Sequence, residues 1–224
     1  MKGYKSYLHE RKQKKEEMVI SSAYAWVRGN HIDHHVAVEC EPFGITPIPS
    51  LAGYSWGYLQ FQYVHEKSLF LIKSKSSNKQ PSQNQGDHYI KSLAKINRNI
   101  NFTEAVANIS EQLELIFDPV PVHADSIEDE IIEFNQQFER FYIITYTIDE
   151  QKRISDISLC LPHPDTYELY LVDSWNHFLN HINIDFTEED FAAVYDDQDM
   201  QMQLSFANYR NMTDEKDEAG SRKS

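Results

Sequence analysis

The sequence predicts an α+β fold, an antiparallel or mixed sheet packed with helices, and three observations predict it. Residues 57–73 alternate apolar and polar side chains on either side of a short polar break, the pattern of a β-hairpin. Residues 141–172 hold three apolar, strand-like runs joined by short connections, which favours an antiparallel meander. Between these blocks the apolar residues recur at helical spacing. Strand blocks separated by a run of helices are the pattern of an α+β domain.

At 224 residues the chain is long enough for one well-buried core. The expected organisation is a single domain over 1–195, with 1–100 and 101–195 as possible sub-domains, followed by a mostly disordered acidic tail over 196–224. Cys40 and Cys160 are far apart and each sits in an apolar run. That fits small buried side chains in a reducing cytoplasm better than a disulfide framework. The first 17 residues mix Lys, Arg, Glu and Gln without an apolar core, and no stretch approaches the ~18 consecutive apolar residues of a membrane span. Export and membrane insertion are therefore not expected.

Element by element, a helix is predicted from Ser6 to Arg28, with an apolar stripe at Val19, Ile20, Ala23, Tyr24, Trp26 and Val27 and a stop at Gly29-Asn30. A strand is predicted at His34–Cys40, with Val36 and Val38 on one face. Pro42, Gly44, Pro47 and Pro49 then break the chain. In the hairpin, Leu59, Phe61 and Tyr63 alternate with Tyr58, Gln60 and Gln62, the loop is His65–Ser68, and Leu69–Ile72 resumes the second strand. Ser74–Gly86 reads as a mobile polar loop.

Three helices follow, each introduced by a capping residue: Asp87 before Tyr89, Leu93, Ile96 and Ile100; Thr103 before Val106, Ile109, Leu113 and Phe117; Ser126 before Ile131, Phe134 and Phe138. The meander strands are Phe141–Ile148, Ile154–Leu161 and Tyr167–Val172. A short helix over Ser174–Ile182 is expected to bury Trp175, Phe178, Leu179 and Ile182. The last helix starts at Thr187, where Asp190 completes a capping box and Phe186 staples onto Phe191.

The net charge of −14 is unevenly placed, +6 over residues 1–100 and −20 over residues 101–224. A locally basic surface can attract phosphate while the acidic remainder repels it. Lys73 and Lys75 on the hairpin, with Lys91, Lys95 and Arg98 at i, i+4 and i+7 on the next helix, form the candidate nucleic-acid-binding set. The pI of about 5.1 counts against general nucleic-acid affinity.

Two histidine groups are metal-competent. His31, His34 and His35 cluster with Glu39, but on a strand His35 and Glu39 stand roughly 13 Å apart by the ~3.3 Å rise. Asp173, His177 and His181 fall at i, i+4 and i+8 on a predicted helix, without the glutamate that gives a zincin its general base. No Gly-rich phosphate loop, nucleophile elbow, C-x-x-C pair or kinase signature occurs, and no cofactor is expected.

The order helix, strand, hairpin, helix over residues 6–98 resembles the core of PD-(D/E)xK nucleases. The resemblance implies an acid on the second strand and an acid-x-Lys on the third to hold a divalent cation. Lys73 matches the lysine, but Leu71 stands at the acid position and Gln60 and Gln62 occupy the second strand. A non-catalytic, binding role follows.

The first functional expectation is a cytoplasmic protein of bacterial or phage type that acts through a protein partner. One version is an acidic inhibitor of a nucleic-acid-handling or defence enzyme, since residues 101–139 hold ten Asp and Glu and no Lys or Arg. Nucleic-acid binding on the nuclease-like core is the second expectation, and a histidine-based metal hydrolase the third.

Overall fold

Residues alternating across Trp56–Tyr63 and Ser68–Lys75 pair as the predicted hairpin, β2 and β3, with Phe61 opposite Phe70 and Tyr63 opposite Ser68. The computed structural model describes residues 1–52, 56–75, 88–102, 112–113 and 134–195. The turn is a 3-10 turn over Val64–Glu66 followed by Lys67 in the left-handed region, φ 47°. β3 runs to Lys75, so Ser74 and Lys75, expected in a loop, belong to the strand.

Four further strands complete the main sheet: β1 (Thr46–Ala52), β5 (Arg140–Ile148), β6 (Ile154–Pro162) and β7 (Leu169–Ser174). A two-residue strand, β4 (Gln112–Leu113), pairs with β7. The order is β1-β2-β3-β5-β6-β7-β4. Every neighbouring pair is antiparallel except β3 and β5, which run parallel over eight positions from Ser68 opposite Arg140 to Lys75 opposite Thr147. The sheet is therefore mixed, and its parallel seam joins segments that lie far apart in sequence.

The helices are α1 (Lys2–Glu17), α2 (Arg28–Cys40), α3 (His88–Ala94), α4 (Asn176–Leu179) and α5 (Glu188–Tyr195). Period-two alternation sends each strand's apolar residues to opposite faces. Leu69, Leu71, Phe141, Ile143 and Cys160 meet Tyr89, Ile90 and Leu93 of α3 on one face. On the other, Tyr146, Ile72, Ile148 and Ile157 meet Tyr4, Tyr7 and Leu8 of α1, Ile32 of α2 and Phe191 of α5.

The first forty residues depart most from expectation. The helix predicted over 6–28 begins at Lys2 and stops at Glu17, where Met18 turns extended (φ −121°, ψ 140°). The residues read as its apolar stripe are largely outside: Val19, Ile20 and Trp26 are exposed, and only Val27 packs against the core. The real stripe is Tyr4, Tyr7, Leu8 and Arg11, at i, i+3, i+4 and i+7. The strand predicted at His34–Cys40 is helical, and Gly29 sits in the first turn of α2 instead of ending a helix. The β-branched pair Val36 and Val38 suggested alternation, but Ile32 and Val36, at i and i+4, are the residues that face α1, and Val38 is exposed. Packing against α1 overrides local strand propensity.

Gly3 permits that packing. A Cβ there would lie 2.5 Å from the His31 carbonyl oxygen and 2.7 Å from the Ile32 Cα, so the α1 and α2 backbones touch. Arg11, almost wholly buried, donates through Nη1 to the carbonyl and hydroxyl oxygens of Ser21 at 2.6 and 2.9 Å, closing the connection between the two helices.

Other expectations are sharpened. β1 takes up the segment that its prolines seemed to break. Within the predicted 103–117 helix, Gln112 and Leu113 are strand; the rest of it, Asp87, most of the 126–138 helix and the 196–224 tail lie outside the described residues. The helix predicted over 174–182 shrinks to α4, with Asp173 and Ser174 still in β7, and Phe178, expected in the core, is exposed. At α5 the capping box is present: Thr187 N–H donates to Asp190 Oδ2 at 2.8 Å and Asp190 N–H to Thr187 Oγ1 at 3.3 Å. Phe186 stacks on Phe191 with ring centroids 5.6 Å apart. Cys160 is buried and Cys40 half-buried, both as free thiols.

Candidate binding groove

Two amino-acid patterns create an open groove at the β1 edge. On α2, Asn30, Asp33, His34 and Ala37 fall at i, i+3, i+4 and i+7 and share one side of the helix. On β1 and β2, Pro47, Pro49, Leu51 and Leu59 occupy the sheet face beneath that side. The space between them is about 520 Å³ and opens to solvent.

The prolines fix which partners β1 can have. Pro47 and Pro49 are two apart, so their nitrogens point the same way, and with β2 paired on the inner side that way is outward. An edge without those donors is a poor template for another strand. The groove beside it carries apolar surface, with Leu51 in its wall 61% exposed, and Val38 on α2 and Phe43 after it are exposed as well.

Among the described residues Asp33 is the one carboxylate in the groove lining. Burial pushes its carboxyl up to about 7, against the opposing pull of the Lys73 charge. Tyr58, also in the lining, is pushed up to about 12 by burial and stays a neutral phenol. The groove thus joins apolar walls to one half-buried acid that changes charge near neutral pH.

The candidate metal groups do not converge. His31 turns to α1, with Nδ1 3.1 Å from Ser6 Oγ and Nε2 3.0 Å from Glu10. His34 stays in the groove wall, edge-on to His35 with ring centroids 5.5 Å apart. Burial, then the neighbouring His34 and His31, hold His35 below the ordinary imidazole range. In the second group Asp173 lies on β7 and accepts a hydrogen bond from Trp175 Nε1 at 2.9 Å. His177 lies on α4 against Phe178, and His181 follows beyond the helix end. The helical row that would align them does not form. Among the described residues no three His, Cys, Asp or Glu are grouped so as to hold a metal ion.

The basic set is divided. Lys73 Nζ lies 5.2 Å from the centre of the Tyr89 ring, near the start of α3. Lys75 is two positions farther along β3. Lys91 instead covers Tyr167 at 5.4 Å, in the β6–β7 connection. Lys95 and Arg98 flank Asn97 in the 3-10 turn Lys95–Asn99 that continues α3. Asn97 anchors to Phe141, which is level with Leu69, so Lys73 stands about 13 Å up the sheet from that end.

At the nuclease-like positions, Gln60 and Leu71 are both buried. Gln60 Nε2 donates to the Tyr58 hydroxyl at 2.9 Å. The strand preceding the hairpin is Thr46–Ala52, not 34–40. Most of the acidic 101–139 segment lies outside the described residues, and its last residue, Glu139, pairs with Lys67.

Asn30, Asp33 and Ala37 were missed as site residues because their segment read partly as a turn and partly as a strand. The signal that finds them is their helical spacing beside a run without cations: from Gly29 to Glu66 there is no Lys or Arg, and there are four acids. No family model, no curated protein and no solved structure matches this chain.

Proposed function

We propose that this chain acts by binding a protein partner, with the groove between α2 and the β1–β2 hairpin as its recognition surface. The observation that carries the reading is the apolar groove wall of Pro47, Pro49, Leu51 and Leu59, in which Leu51 is left 61% exposed. Val38 on α2 and Phe43 in the 3-10 turn that follows it are further large apolar side chains left in water. The blocked β1 edge directs such a partner to the groove and away from strand addition. The two free thiols are in keeping with a reducing cytoplasm.

A photocrosslinking residue placed at position 51, with position 165 as control, tests the reading in native cells. The expected result is one adduct specific to position 51, whose purified partner binds the wild-type chain at least tenfold more tightly than Leu51→Asp. A partner indifferent to Leu51→Asp, Val38→Asp and Phe43→Asp, or adducts equal at both positions, would reject it.

A second reading, nucleic-acid binding, is favoured by Lys73 over Tyr89 on a helix, three-strand, helix order like that of the nuclease core. It predicts salt-sensitive affinity for DNA or RNA that charge reversal at Lys73 and Lys91 weakens. A flat titration at low salt removes it.

A further inference from the structure

We infer that the groove takes a cationic, apolar peptide segment of its protein partner, seating one Lys or Arg side chain on Asp33 and an adjacent apolar side chain against Leu51 and Leu59. This rests on the groove being the recognition surface and adds the chemistry of what fills it.

Charge complementarity is the first support. The elements that build the groove come from a stretch, 29–66, with Asp33, Glu39, Glu41 and Glu66 and no Lys or Arg. Of these acids only Asp33 lines the groove, while Glu39 is engaged by Lys2 Nζ at 2.5 Å. The second support is placement. The Asp33 carboxyl shares the lining with Leu51, Leu59 and Pro49, and the Lys73 charge acts on it only against the larger effect of burial. A carboxylate of this kind is costly to hold charged, and an incoming guanidinium or ammonium relieves that cost while its neighbour covers the apolar wall. An acidic segment would meet repulsion there, and a purely apolar one would leave Asp33 covered and unpaired.

The titratable groups around Asp33 are His34 on its own helix, Tyr58 on β2 and Lys73 on β3; β1 contributes none. Asp33 itself, pushed up to about 7 by burial, changes charge in the neutral range, while Tyr58 stays a neutral phenol there. A cation is bound better as Asp33 ionises. The Asp33→Asn variant isolates that dependence.

A displayed random-peptide library selected against the full chain tests the inference. Enriched peptides should carry Lys or Arg next to an apolar residue, lose about tenfold in affinity against Asp33→Asn and against Leu51→Asp, and bind several-fold better at pH 8 than at pH 6. Asp33→Asn should flatten most of that pH dependence. Peptides sensitive to Leu51→Asp but free of basic residues and indifferent to Asp33→Asn would overturn the inference and leave the groove reading standing. Peptides insensitive to both variants, or no enrichment at all, would overturn both. Thermal melts of each variant exclude misfolding as the cause, since Leu51 is exposed and Asp33→Asn conserves shape.

Discussion

Asn97 and Phe141 exchange two hydrogen bonds across buried space: the Phe141 N–H donates to Asn97 Oδ1 at 2.7 Å, and Asn97 Nδ2 donates back to the Phe141 carbonyl at 2.9 Å. The same amide reaches the Pro162 carbonyl at 2.9 Å. One side chain thereby ties the turn after α3 to the start of β5 and the end of β6. Replacing it with Ala strands a donor and two acceptors away from water, so Asn97→Ala should cost about 2–4 kcal/mol in urea unfolding. Asn97→Asp should be at least as damaging, because a carboxylate cannot donate to two carbonyls.

Gly3 and Gly29 should respond oppositely to Ala. At Gly3 the new Cβ meets α2 backbone atoms, which cannot swing aside, and the loss should be about 1–3 kcal/mol. At Gly29, inside the first turn of α2, nothing lies within 4 Å, and the helix propensity of Ala should stabilise by up to about 1 kcal/mol. Paired denaturation curves check both signs.

Asp33 makes stability fall with rising pH. Burial raises its folded carboxyl to about 7, against an ordinary value of 3.8, so between these values the folded chain holds more protons than the unfolded one. Its contribution is fully present below about 3.8 and is lost as pH rises through about 7. Asp33→Asn should therefore stabilise at pH 8 and bring no gain at pH 3.5. With the groove open to water, the gain at pH 8 should be about 1–2 kcal/mol. Melting temperatures of the two proteins across pH would show it.

The thiols should separate by accessibility. Burial pushes Cys160 up to about 11 and seals it in the core, while Cys40 is only partly covered. At pH 8 a disulfide reagent should modify one thiol per native chain, at Cys40, and two in denaturant. Fast reaction of both in native buffer would contradict the packing around Cys160.

Where the chain's structure follows from neighbours in sequence, it was legible. The Tyr58–Tyr63 alternation gave the hairpin, three short-linked apolar runs gave the meander, and Thr187 with Asp190 gave the α5 cap. Where distant contacts decide, it was not. His34–Cys40 carries a valine alternation but is held helical because Gly3 lets α1 lie against it. Thr46–Ala52 looks broken by Pro47 and Pro49, yet at a sheet edge their missing donors cost nothing. The groove escaped notice because its two walls are these two segments. The basic residues were found in sequence, but their division between the Lys73 and Arg98 ends of α3 depends on the level at which Asn97 anchors that turn.

The parallel seam also bears on synthesis. β3 finds its neighbour only when residues 140–147 arrive, long after the hairpin itself can close. Until then the growing chain carries an open inner strand, Leu69 to Ile72, at the ribosome. Pairing across so long a stretch of chain slows the acquisition of structure and leaves a window in which chaperones have something to hold.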